Sequence, residues 1–227
     1  MRRPEPGPGR AGAPLPVSPD RLPGVLAQLL ADAASAEATL RVLLDGAPAA
    51  RPDRLADALV DPLRLHGRAA LRVSAGWFLR PASLRLEHGR TDPDAYYQDW
   101  LDVGALRREV LDPLGPGGTG RYLPTRWDPA ADRSTRAGYL TAPAGAVLLL
   151  DGALLLGQGL AADLTVHLRL STAALGRRTP PAERWTLPAY ARYEAEVDPA
   201  ALADVVIRAD DPRHPAIVTR LSRPASR

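Results

Sequence analysis

Gly46 ends an apolar run and opens a helical stretch in the segment LRVLLDGAPAARPDRLADALV, from Leu40 to Val60. Strand, glycine turn and helix in that order form the frame of a phosphate-binding loop, whose pattern is G-x-x-x-x-G-K-[ST]. That chemistry needs backbone amides around the phosphates, a lysine on the β- and γ-phosphates, and a hydroxyl on magnesium. Gly46 keeps the first position, but Arg51 stands at the second glycine, Pro52 at the lysine and Asp53 at the hydroxyl. Proline donates from neither its side chain nor its nitrogen. Asp53 is suited to cap the helix that follows, putting a carboxylate where the helix terminus would attract an anion. Arg51 supplies charge, yet it replaces a glycine whose lack of a side chain lets the backbone wrap the phosphates.

The 29 basic residues are all arginine, and asparagine is absent too. A GC-rich coding sequence accounts for both absences, though not for a proline at the lysine position. Net charge is only +3 and the charges are interspersed, so no nucleic-acid surface is read from them. There are no cysteines, which excludes disulfides, zinc thiolates and cysteine nucleophiles. His66, His88, His167 and His214 show no ligand spacing and read as structural or exposed, so no metal site is expected. No apolar run approaches the roughly 18 residues of a membrane span, and residues 1–20 lack the apolar stretch of a signal peptide. A cytoplasmic protein is expected.

The elements that must position the loop follow from periodicity. Residues 1–20, rich in proline and glycine, read as a disordered tail, 21–218 as one α/β domain, and 219–227 as a basic tail. A helix capped by Ser18 or Asp20 runs through LPGVLAQLLADAAS, delayed by Pro23 and Gly24. Thr39–Leu44 is the first strand, about Asp53 to His66 a helix ended by Gly67, and Ala69–Ser74 a second strand. This alternation predicts a parallel sheet covered on both faces. Residues 92–112 read as helical with Leu101, Leu106 and Val110 inward, and Leu111–Tyr122 as a turn-rich connector. The most apolar strand, within Ala146–Leu156, is expected to lie centrally. Asp163–Leu170 and Ala203–Asp210 follow as strands, the latter the last, separated by an arginine-rich turn and a helix from about Pro188 to Val197. The string Gly157 to Ala162 matches G-x-G-x-x-A, but a strand begins at once at Asp163 and leaves no room for the crossover helix.

Three segments, GRTDPDAYYQDWLDVGALRREVLDPLGPGG (Gly89–Gly118), GAVLLLDGALLL (Gly145–Leu156) and YARYEAEVDPAALADVVIRADDPRHP (Tyr190–Pro215), together with the loop frame, resemble the uridine kinase family, in a divergent bacterial branch. The resemblance implies a phosphate-loop nucleoside-kinase fold, a nucleoside cleft and a small arginine-bearing lid. It places Gly46, Arg51, Arg177, Arg178 and Arg184 toward the phosphates, and Tyr96, Asp99, Tyr122, Trp127 and Asp128 toward the nucleoside. Trp127 stands where the family has a base-recognising histidine. Asp151 matches the family's metal-ordering acid, and reads equally as a strand-end turn residue. The family's S-x-D-D-F-[HY], which carries the general base, corresponds to Ser74-Ala75-Gly76-Trp77-Phe78-Leu79, with both acids gone. None of Ala75, Gly76 or Trp77 can accept the proton a base must take. Phe78 reads as core, and Trp77 as either core or a plug of the pocket.

Two catalytic elements are thus missing, one of which is typically worth about 10²–10⁴-fold by itself. The expectation is a degenerate kinase-like protein holding a nucleoside-like or other small polar ligand. The alternatives are an active kinase, with ATP and Mg²⁺ as cofactors, or a different enzyme on the same scaffold. A homo-oligomer is left open.

Overall fold

A computed structural model describes residues 12–220. The strands are β1 (Leu15–Pro16), β2 (Leu40–Asp45), β3 (Ala70–Ser74), β4 (Arg121–Tyr122), β5 (Trp127–Asp128), β6 (Arg133–Ser134), β7 (Leu140–Thr141), β8 (Val147–Gly152), β9 (Leu164–Arg169), β10 (Val205–Arg208) and β11 (Ala216–Thr219). The helices are α1 (Leu22–Ala33), α2 (Pro52–Ala58), α3 (Val60–Leu65), α4 (Ala82–Arg85), α5 (Pro93–Gln98), α6 (Val103–Leu106), α7 (Thr172–Arg178), α8 (Leu187–Glu196) and α9 (Pro199–Leu202).

Seven strands form one sheet in the order β1-β11-β10-β9-β2-β8-β3. From β10 to β3 all pairs are parallel, whereas β11 pairs antiparallel with β10, and β1 with β11. The sheet is therefore mixed rather than purely parallel, and β10 is not its last strand. The most apolar strand, β8, lies one place from the edge; β2 takes the middle of the parallel set.

Every residue of β2 is buried, as an interior parallel strand with both faces covered requires. Alternate side chains feed two cores. Val42, Leu44 and Leu149 meet Leu26, Leu30, Leu59 and Leu63 of the helices on one face. Leu43, Leu148 and Leu150 meet Phe78, Leu106, Val110 and Leu111 on the other. Truncating Leu59 or Leu63, each fully buried, to alanine costs about 2–5 kcal/mol.

Local chemistry explains where the expected boundaries shift. Pro23 lies in the first turn of α1, where its missing N–H is not needed, so the helix starts at Leu22 without delay. The N-terminal position is Arg21, not Ser18 or Asp20. The expected single helix after the loop is two, α2 and α3, joined at Leu59, and Gly67 with φ of 72° closes the second. Residues 92–112 are likewise broken, into α5, α6 and a π-helical turn at Arg107–Leu111. Leu15–Pro16 joins the sheet, so the chain enters the fold before residue 20; residues 1–11 and 221–227 lie outside those described. Among the described residues no helix is long and apolar enough to cross a membrane.

Candidate ligand cleft at the strand ends

The loop after β2 turns in on itself. The Gly46 amide donates to the Gly152 carbonyl at 3.0 Å, Ala50 to Ala47 at 2.8 Å, and Arg51 to Pro48 at 3.0 Å. Pro48 and Pro52 have no amide hydrogen to offer. A side chain at Gly46 would come within 3.2 Å of the Leu168 carbonyl, a tight approach that favours glycine here. Pro48–Ala50 forms a tight 3₁₀ turn, and Arg51 takes the left-handed conformation, φ 61°, to enter α2. Arg51 grips Asp53 through two hydrogen bonds of 3.0 and 2.8 Å. That bond holds the Asp53 carboxyl below its ordinary range. Asp53 is not the capping residue: Arg51 occupies that position, and Asp53 lies within the first turn.

Asp151, near the end of β8, is 3 % exposed and has both carboxylate oxygens engaged. Arg72 of β3 donates to Oδ1 at 2.7 Å, and the Ser74 hydroxyl to Oδ2 at 2.9 Å. Arg72 also donates to the Leu149 carbonyl at 3.2 Å and to Asp57 of α2 at 2.9 Å. One guanidinium thus ties together strand, neighbouring strand and the helix after the loop. Beyond Ser74, Phe78 is fully buried in the core, whereas Trp77 is 39 % exposed and neither packs inside nor plugs the cleft.

Above Asp151 opens a cavity of about 340 Å³, lined among others by Gly46, Ser74, Tyr96, Tyr97, Trp100 and Asp151. Its location, at the C-terminal ends of parallel strands, is where open α/β sheets bind ligands. Tyr96 is held edge-on to Trp100 at 5.0 Å and to Trp185 at 5.5 Å. Its hydroxyl meets that of Tyr190 at 2.7 Å. Burial pushes both phenols up, so they stay neutral. The Arg85 guanidinium lies over Trp100 at 5.1 Å and keeps it in place. The cleft therefore joins a wall carrying Tyr96, Tyr97 and Trp100 to a floor whose acid is neutralised from within the protein.

No family model and no curated protein sequence matches the chain. Solved structures do. A possible uridine kinase from Bacillus stearothermophilus superposes with a TM-score of 0.65 at 17 % identity, over 81 % of this chain and 96 % of the other. A provisionally named fructose transport system kinase from Silicibacter sp. TM1040 superposes with a TM-score of 0.56 at 21 % identity, over 79 % and 91 %. The chain has the phosphate-loop kinase fold.

Within the phosphate-loop kinase fold, the expected site residues divide. Gly46, Tyr96 and Asp151 line the cleft. Arg51 stands on the loop, committed to Asp53. Asp99 is not in the lining; it faces Arg80 at 3.3 Å. Tyr122 is 4 % exposed in the core and also outside the lining. Trp127 donates to Asp132 at 3.0 Å, and Asp128 accepts the amides of Ala130 and Ala131 in the same hairpin, away from the cleft. Arg177 and Arg178 end helix α7 instead of forming a turn, and Arg178 donates to the Asp210 carbonyl. Arg184 is exposed in the 3₁₀ segment Pro181–Thr186, and none of the three lid arginines lines the cavity.

Sequence reasoning missed Arg72, Trp100 and Trp185. The signal for Arg72 was present: a cation inside the strand LRVS needs a buried anion across the sheet. Trp100 and Trp185 are 85 residues apart and carried no local signal.

Proposed function

We propose that this chain is a phosphate-loop kinase-fold protein that binds a nucleoside-like or small polar ligand in the cleft and does not transfer phosphate from ATP. The observation that carries the reading is Asp151 closed by Arg72 and Ser74. Both oxygens of this acid already accept from protein donors, and Arg72 supplies the positive charge a magnesium ion would bring. The loop supports the same conclusion, because its amides at Gly46, Ala50 and Arg51 are spent on carbonyls. The residues present do not fit a magnesium-bound triphosphate. The aromatic wall and the neutral Tyr96 hydroxyl suit a flat, uncharged ring with hydrogen-bonding edges. The structural neighbours, a possible uridine kinase and a provisionally named fructose transport system kinase, differ from one another in function, so the ligand class rests on the cleft and not on the fold.

Calorimetry with uridine, cytidine, their monophosphates and fructose tests binding; saturable heat with a nucleoside is expected, and no heat with any of them defeats the ligand assignment. Radiolabelled ATP offered with uridine or fructose tests silence. Label transfer abolished by Arg51→Ala would instead establish an active kinase in which this arginine stands in for the missing lysine.

A further inference from the structure

Behind the loop lies a second cavity of about 290 Å³, lined among others by His167, Ser171, Thr172, Leu187 and Glu194, in which one buried polar atom lacks a partner. Asp45, the last residue of β2, is fully buried and organises this region. Its Oδ1 accepts the Leu155 amide at 2.9 Å; its Oδ2 accepts the Tyr193 hydroxyl at 3.1 Å and lies 2.7 Å from His167 Nδ1. The Asp45 carboxylate accepts the Nδ1 hydrogen, which orients the ring, and in the neutral imidazole this leaves a lone pair on Nε2. His167 is 5 % exposed, and this Nε2 has no hydrogen-bond partner. The nearest anion is Glu194 Oε1 at 4.0 Å, too far for a hydrogen bond, on a side chain 45 % exposed and free to turn outward.

Two acceptors about 4 Å apart are the spacing that one donor atom bridges when it places a hydrogen bond of about 2.8–2.9 Å on each. The donor must carry at least two hydrogens, and the carboxylate favours a positive one. Leu175 and Leu187 supply apolar wall for a short carbon chain, and Arg169, also in the lining, is exposed, so solvent screens its charge. We infer that this cavity is a binding site for the ammonium group of a small primary amine, held between His167 Nε2 and Glu194. It lies apart from the cleft above Asp151 and does not depend on what that cleft binds.

The test uses the full chain labelled with ¹⁵N-histidine and titrated at neutral pH with propylammonium chloride, which is charged there. Sodium chloride at equal ionic strength and 1-propanol serve as controls. A saturable shift of the His167 Nε2 resonance with propylammonium alone is expected, weakened at least tenfold in Glu194→Gln, and propylammonium binding followed by calorimetry is expected to be lost in His167→Gln. Because Glu194 is half exposed, Glu194→Gln keeps the test decisive if His167→Gln fails to fold. A shift that rises without saturating, equal saturation by propanol, or undiminished affinity in Glu194→Gln each overturns the inference.

Discussion

Two buried carboxylates end adjacent parallel strands, and the fold treats them in opposite ways. Asp151 on β8 is matched by a cation, Arg72, that reaches across from β3 and is itself anchored at three further points. Asp45 on β2 is matched by an amide, a phenol and an imidazole. Pairing with arginine cancels the charge and ends the acid's chemistry. Pairing through imidazole passes the polarity outward, leaving an acceptor on the far nitrogen of His167. The burial of Tyr193 itself, and after it the charge of Asp45, push the Tyr193 phenol up, which keeps that hydroxyl a donor. Strand ends next to one another thus hold one sealed acid and one relayed acid, and the difference lies only in the partner's chemistry.

The comparison breaks most visibly at Arg72. Arg72→Met leaves Asp151 as a lone buried charge, and the expected loss is about 3 kcal/mol, the low end for a broken buried pair because Arg72 is a quarter exposed. Chemical denaturation measures it, and the double variant Arg72→Met/Asp151→Asn should recover more than half of the loss. If the double variant is no better than the single, charge cancellation is not what Arg72 does. Asp45→Asn keeps an acceptor oxygen, so it should cost less, about 2 kcal/mol, from weakened bonds to His167, Tyr193 and Leu155. A greater loss at Asp45 than at Arg72, in the same denaturation series, would reverse the proposed ranking of the two acids.

The smallest expected effect concerns the loop. Asp53 has a folded-state pKa depressed by Arg51, so its contribution to stability is present above the unfolded carboxylate value of 3.8 and is lost as pH falls through the lower folded one. Asp53→Asn should flatten the acid limb of the stability-versus-pH curve slightly below about pH 4, with little change at pH 7. An unchanged acid limb would mean that the pair with Arg51 contributes nothing in solution.

The strands were legible because their signal is local. Buried parallel strands demand continuous apolar runs; LRVLLD lies within a residue of the expected Thr39–Leu44, and VLLLDG falls inside the expected Ala146–Leu156. The antiparallel pair β1 and β11 was not legible. AIVT is four residues long, follows a proline and pairs with a two-residue strand some 200 positions earlier. The arginines between β9 and α8 read as a turn, yet Ala174, buried, and Leu175, partly buried, anchor that stretch as α7. At the cleft, Gly46, Tyr96 and Asp151 could be placed from order along the chain. Asp99 and Tyr122 could not, because one-residue rotations on short helices and strands decide which side chain faces in.

Taken alone, the amino-acid sequence determined that the loop lacks lysine and hydroxyl, that no acid follows β3 in the expected place, and that an alternating α/β chain must bury its strands. These are statements about residue type, and composition and order suffice for them. Only the tertiary structure decided that Arg72 closes Asp151, that Arg51 folds onto Asp53, and that Asp45 turns His167 toward a second cavity. Hydrogen bonds and ion pairs act over about 3 Å, and residues as far apart as 45, 167 and 193 reach that range only once the sheet has set its strand order.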